Sequence, residues 1–398
     1  MSADSLERAF RDERAAVLAT ITRRLDGDLA LAEDVVQDAF VAAAVEWDRR
    51  GVPDRPGAWL TTTAWRNALD RLRHQRVVDA HAMQVGEAVT YDEIDFERSS
   101  LEDDQLRMLF ACCHPALSPE VRMALTLRSV AGLTVEEIAR ALISSEPAME
   151  RRLTRARNKI SKGRIPFRVP PDDLLPERLG AVLRVVYLVF NEGHAAVRDE
   201  LRDEGVRLAR LLARLMPDAA EAHGLLALVL LTDARSSARV RDGELVSLEE
   251  QDRGRWDRGL VDEGVAVLER ALRLPSPGTY VIQAAIAALH DQAPAFASTD
   301  WLQIAALYAE LARVDPSPVI TINRAIAVGF AAGPATGLSL LDTVSGLERY
   351  HPLHAARAEL LRRLGDIDGA DAAYATALSL SALPHERAAL AARRATLG

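Results

Sequence analysis

Cysteine is almost missing from these 398 residues: there are two, adjacent, at Cys112 and Cys113. A disulfide framework is thereby excluded, and the spaced pairs that a tetrahedral zinc site needs are absent. The Cys-Cys-His run ending at His114 therefore reads as buried thiols in a helix, and no metal or other cofactor is expected. Long apolar runs are also lacking; a stretch such as Gly224–Leu231 falls far short of the roughly 20 residues that cross a bilayer. The opening MSADSLERAFRDER has early acids and no apolar run of the secretory kind, so the expectation is a cytoplasmic protein with no membrane partner. Nucleophile, metal and phosphate-loop motifs are missing too. An enzyme reading would rest on Asn191, Glu192 and His194 in FNEGH or on the Cys-Cys-His trio, and nothing supports it, so no catalytic residue is expected.

What is present is helical. Hydrophobic residues make up 49% of the chain, enough for sizeable cores, and the length suggests two or three domains. In LTVEEIARALISSEPAMERRLTRARNKISK, Thr134 and Glu137 have capping-box spacing at the head of a helix running to about Leu142. Ser145 can cap a second helix, with Pro147 tolerated in its first turn. Met149, Leu153, Ala156 and Ile160 fall on one face of that helix; Arg152, Arg155, Lys159 and Lys162 track along another. From Arg151 to Arg168 there are eight Lys or Arg and no acid, in a chain of net charge -9. An apolar docking face with a basic outer face suits the recognition helix of a helix-turn-helix. Leu106–Leu133 supplies two further helices, divided at Pro115 and the Ser118-Pro119 start signal.

Upstream, Leu29–Trp47 places Ala32, Val35, Val36, Ala39, Phe40, Ala43 and Trp47 on one helical face, with Glu33, Asp34, Gln37 and Asp38 away from it. The loop Asp48–Gly57, with two prolines and two glycines, ends that helix, and Ala58–Arg76 forms another. Trp59 and Trp65 beside Arg66, Asn67, Arg71, Arg73 and Arg76 are the residue types that hold bases drawn from a duplex, although Trp65 reads as a core residue. Residues 80–104 carry eight acids against one arginine, a composition that favours an extended, solvated linker.

These segments, in this order, resemble regions two and four of an extracytoplasmic-function (ECF) sigma factor of the sigma-70 family, over about residues 5–165. The resemblance implies a non-catalytic subunit that joins core RNA polymerase through the β′ clamp helices and β flap and recognises promoter DNA. It places Asp34, Gln37 and Asp38 at the polymerase-binding edge. Trp59, Arg66, Asn67, Arg71, Arg73 and Arg76 go to the −10 element, and Ser145, Arg151, Arg152, Arg155 and Lys159 to the −35 element. Two departures stand out: Trp65 shifts Arg66-Asn67 one place, about 100° around the helix, and Ile143 occupies a turn position that commonly holds Gly. A helix-turn-helix regulator working without polymerase is the competing reading; it would have no use for the Leu29–Arg76 helices.

After the prolines of Pro166–Pro176 the pattern stays nearly all helical. Ile304/Tyr308/Leu311, Gly337/Leu341/Val344 and Ala370/Tyr374/Ala377 repeat at 33 residues, and the last segment resembles a tetratricopeptide (TPR) repeat. Residues 169–398 hold 24 basic and 31 acidic residues, a balance unsuited to DNA. In Ser236–Asp257, Asp242-Gly243 between Val240-Arg241 and Glu244-Leu245 predicts a β-hairpin, with Asp242, Glu244, Arg253 and Trp256 as a candidate contact site, or else a clasp between helices. The expectation is thus an all-α protein. Residues 1–79 form region two, 80–104 the linker, 105–168 region four, and 169–398 a TPR-like regulatory solenoid with a protein or peptide partner.

Overall fold

The computed structural model describes residues 3–80, 98–142, 144–171, 173–195, 199–241, 244–381 and 384–397. Apart from one two-stranded hairpin, its regular elements are helices, and the chain divides into two compact units, Met1–Leu215 and Met216–Gly398.

The first unit begins with α1 (Ala3–Arg24), α2 (Leu29–Arg50) and α3 (Pro56–Ala80). Asp26 and Gly27, at φ 52 and 88, turn the chain sharply, and the Asp28 carboxylate then accepts from Leu31 N to cap α2. Every residue of the predicted apolar face of α2 is buried, with Trp47 1% exposed. Leu18 and Ile21 of α1 are fully buried in a helix that packs on α2, α3 and α4 (Arg98–Cys112). The acidic linker lies largely in residues 81–97, outside the described residues. Its end departs from the expected extended form: α4 starts at Arg98, and Asp104 is fully buried between Arg23 (2.8 Å) and Arg107 (2.6 Å). Two arginines provide the counter-charge that lets this carboxylate leave water.

Then come α5 (Pro119–Thr126), α6 (Val135–Ala141) and α7 (Glu146–Lys159), with a widened helical turn after α5 and another after α7. The capping box forms as expected: Thr134 Oγ1 accepts from Glu137 N and Glu137 Oε2 from Thr134 N. Met149, Leu153, Ala156 and Ile160 are buried, as their spacing predicts. Ile143 lies outside the described residues. Cys112 and Cys113 are fully buried and burial raises both thiols, Cys113 to about 11, so they are protonated packing residues.

Two more helices complete this unit: α8 (Leu175–Ala195), packed on α4 and α5, and α9 (Asp199–Leu215), packed on α8. Arg178 donates to Phe110 O and Arg207 to Val130 O, fastening α8 to α4 and α9 to the widened turn after α5. The first compact unit therefore runs past the proline-rich segment at which the sequence suggests a boundary. Within α8, Tyr187 engages Asn191, His194 stacks on Phe190 at 5.6 Å, and a Cβ on Gly193 would sit 2.2 Å from Arg202 N. FNEGH is thus a helix-packing segment.

The second unit is a run of stacked helices: α10 (Ala220–Asp233), α11 (Ser236–Arg239), α12 (Arg258–Arg273), α13 (Thr279–Gln292), α14 (Trp301–Val314), α15 (Pro318–Ala332), α16 (Pro334–Leu341), α17 (His351–Leu364), α18 (Ile367–Leu380) and α19 (Pro384–Ala395). Successive helices from α12 to α19 pack on one another. The turn between α17 and α18 shows why they do so tightly. Gly365 at φ 86 ends α17, Asp366 N returns to Leu361 O, and the Asp366 carboxylate caps α18 at Gly369 N. The 33-residue repeat falls on α14, α16 and α18, where Ile304, Leu311, Gly337, Leu341, Ala370, Tyr374 and Ala377 are all buried. The predicted hairpin forms between β1 (Val240–Arg241) and β2 (Glu244–Leu245), in the register Val240↔Leu245 and Arg241↔Glu244. Asp242 and Gly243 lie outside the described residues, and of the Glu244 side chain nothing is described.

Candidate polymerase and promoter-binding surfaces

Helix α2 presents two different edges. Asp34, Gln37 and Asp38 are exposed, as expected, and Val41 and Val45 continue the same face at helical spacing, 62% and 55% exposed. Sequence reading missed these two valines, since single exposed valines carry no signal until the faces of a helix are assigned. Asp34 and Asp38 both hold Arg71 of α3, at 3.2 and 2.6 Å. An arginine expected on the −10 side is therefore already balanced by the two acids expected on the polymerase side.

The other edge of α2 carries a correction. Glu33 does not join the exposed acids: it is 6% exposed and its carboxylate takes Arg157 of α7 at 2.6 Å. Nearby, Ser161 donates to Asp28, and buried Arg14 donates to Arg128 O. Burial and the charge of Arg128 lower Arg14 to about 10 while Glu33 opposes them, so at neutral pH Glu33 lies between two cations. Helical periodicity put Glu33 outside the α2 core correctly; it had no means of showing that α7 covers it.

On α3, Trp59 is half-buried and meets Trp47 edge to face at 5.4 Å. Trp65, read as core, is also only half-buried, and the Arg24 guanidinium lies 5.3 Å from its ring centre. Arg66 is exposed, Asn67 half-buried, and Arg73 exposed in a loose pair with Asp70 at 3.2 Å. The Arg76 side chain lies outside the described residues.

Helix α7 separates its two faces as the spacing implies. Arg151 and Arg155 are exposed, while Arg152, Arg155 and Lys159 line one surface groove with Ala116, Leu117, Ser118, Glu120 and Val121. Lys159 donates to Ala116 O, so part of its capacity is used within the protein. Ser145 occupies the N-cap position and is exposed, but its hydroxyl makes no cap. The Ser145 carbonyl already accepts from Ala148 and Met149, and Pro147 has no donor to cap. In the second unit, Arg253 and Trp256 form a clasp instead of an open contact site. Trp256 is 3% exposed, Arg253 lies over it at 4.4 Å, and Arg253 donates to His290 O (2.6 Å) and Ala293 O (2.9 Å) at the end of α13. No cluster of His, Cys, Asp and Glu able to hold a metal occurs among the described residues, and none of the described helices is long and apolar enough to cross a membrane.

Known proteins resemble segments of this chain. Residues 11–77 match the model of Sigma-70 region 2, residues 107–160 that of Sigma-70, region 4, and residues 178–272 a family of unknown function (DUF6596). The last match spans the division between the two units. An uncharacterized protein of Rhizobium meliloti, R00370, is 41% identical over 376 residues, covering 91% of this chain and 88% of the relative. The ECF RNA polymerase sigma factor SigL of Mycobacterium tuberculosis is 35% identical over 154 residues, 37% of this chain and 83% of the relative. The probable ECF sigma factor SigI of the same organism is 30% identical over 173 residues, 42% of this chain and 58% of the relative. With regions two and four both present and both built around the expected faces, the chain belongs to the extracytoplasmic-function group of the sigma-70 family.

Proposed function

We propose that this alternative sigma factor joins core RNA polymerase through the α2 stripe Asp34–Val45, uses α3 at the −10 element and α7 at the −35 element, and is held closed when free. The single observation that carries the reading is the Glu33–Arg157 ion pair. The promoter elements lie about 25 base pairs apart, or roughly 85 Å along B-DNA. Regions two and four cannot be in mutual contact and span that distance, so α7 leaves α2 when the promoter is bound. Core polymerase supplies the free energy for opening by binding the open form better than the closed one. A sigma factor is a specificity subunit, so no catalytic step is assigned to any residue.

The second unit, fused to these modules and carrying an acidic surplus, regulates the equilibrium within the chain. Support comes from its size, its charge and the α8–α9 pair, which belongs to the first unit and leads directly into the second. In vitro transcription with bacterial core polymerase tests the whole reading: promoter-specific transcripts must need both proteins. Changing Arg152 or Arg155 to Ala lowers promoter affinity by about 1–3 kcal/mol where a base is read, or flattens the salt dependence by about one unit where only a phosphate is neutralised. A tight footprint by the protein alone, unaltered by core, contradicts the proposal.

A further inference from the structure

The second unit closes on itself. Helix α19 packs on β2, and Glu249 of the insertion pairs with Arg363 of α17 at 3.2 Å, joining parts of the unit 114 residues apart. Between the insertion and helices α13 to α19 lies a cavity of about 810 Å³, within the usual range for small-molecule sites. Its walls differ in kind. Around α14, Trp301 stacks on Phe330 at 4.2 Å with planes 13° apart, and Phe296 meets both rings edge-on at 5.3 and 5.4 Å. This aromatic wall is held in place by its own contacts, so a planar guest loses little entropy of the site on binding.

The opposite wall, from α17 to α19, has polar capacity left over. Tyr374 is fully buried, with its hydroxyl on the Glu359 carboxylate that Arg362 and Arg363 also hold. His351 Nδ1, in contrast, is buried without a partner, while its Nε2 faces Glu386 at 3.2 Å. A buried polar atom left unpaired is costly, so His351 Nδ1 points to a molecule that pairs it. Charge selects its sign. Glu249 and Glu359 are held by arginines, Glu386 by His351 and Ser381, and Glu250 by Ser247. Arg393, in contrast, lines the cavity with no carboxylate within ion-pair distance among the described residues. One unmatched guanidinium suits a singly charged anion and is too little for a polyphosphate.

From these groups we infer that the cavity binds a small planar aromatic acid, its ring against Trp301 and Phe296 and its carboxylate on Arg393 and His351. The site rests on the second unit alone, so its failure would leave the sigma assignment intact. The test is calorimetric titration of the full chain with benzoate, 2-naphthoate and indole-3-acetate. At least one binds saturably at one site per chain. Arg393→Gln then weakens it about tenfold or more. On the wild-type protein, which needs no variant to fold, the matching alcohol binds much more weakly and the matching amine does not bind. Failure of all three acids to bind, equal binding of acid and amine, or indifference to Arg393→Gln in a folded variant overturns the inference.

Discussion

The two units are joined internally in different ways. In the second, consecutive helices share apolar layers: Ile322, Leu341, Leu353 and Leu360 form one, and Ile286, Ile304 and Leu311 another. In the first, the joint between α2 and α7 includes the Glu33–Arg157 pair, with the Ser161–Asp28 hydrogen bond just beyond the helices. Apolar layers lose their full transfer free energy when parted, whereas charged groups regain water on separation and offset much of what they lose. On the proposed function the α2–α7 joint is the one that parts, while the second unit stays together.

The largest test of this difference is Gly337→Val. A Cβ at Gly337 would lie 2.6 Å from Ala325 O and 2.9 Å from Gly329 Cα, both backbone atoms, so the helices must separate. We expect a loss of about 3 kcal/mol or more in the stability of the second unit, read by denaturant unfolding. A smaller effect follows from Glu33→Gln, which keeps the shape and removes the charge opposite Arg157. It should cost about 1 kcal/mol in the first unit yet tighten association with core polymerase, because the closed form is weakened and the open one is not. Weaker association would mean that the joint assists polymerase binding.

The smallest effect is a pH dependence in the second unit. Burial, with Arg235 and Arg253 adding to it, lowers His290 to about 4 from an ordinary 6.5, so the unfolded chain takes up that proton first and stability falls as pH drops from about 6.5 toward 4. Burial raises Asp291 to about 6 from 3.8, with Arg235 and Arg253 opposing; the folded state holds that proton longer, and stability falls as pH rises from about 4 to 6. The slopes oppose each other over that interval. His290→Gln should therefore leave a net decline in stability with rising pH between 4 and 6, where the wild type is nearly flat. A wild type and variant with the same profile would remove His290 from the account.

How much of this was legible in the sequence depends on whether a property is local. The capping box at Thr134 and Glu137, the buried and basic faces of α7, and the hairpin at 240–245 each follow from spacing along a single element, and each is present. Contacts between elements were not legible. Glu33 and Asp104 look like ordinary surface acids until Arg157, Arg23 and Arg107 are brought to them. Charge points Arg71 to DNA, although Asp34 and Asp38 hold it, and sequence leaves Trp256 between contact site and clasp until packing shows it buried. The division at Leu215 escaped because prolines mark where a helix stops, whereas a unit ends where packing does.

The opening of the α2–α7 joint is tested most directly by a distance. Spin labels at Arg49→Cys on α2 and Glu150→Cys on α7 both occupy exposed positions, and Cys112 and Cys113 are buried thiols that would not compete for label. In the free protein the two labels should give one short distance, characteristic of docked helices. In the complex with core polymerase and promoter DNA that distance should lengthen by several tens of ångströms, as the promoter spacing requires. An unchanged distance in a transcriptionally active complex would contradict the account.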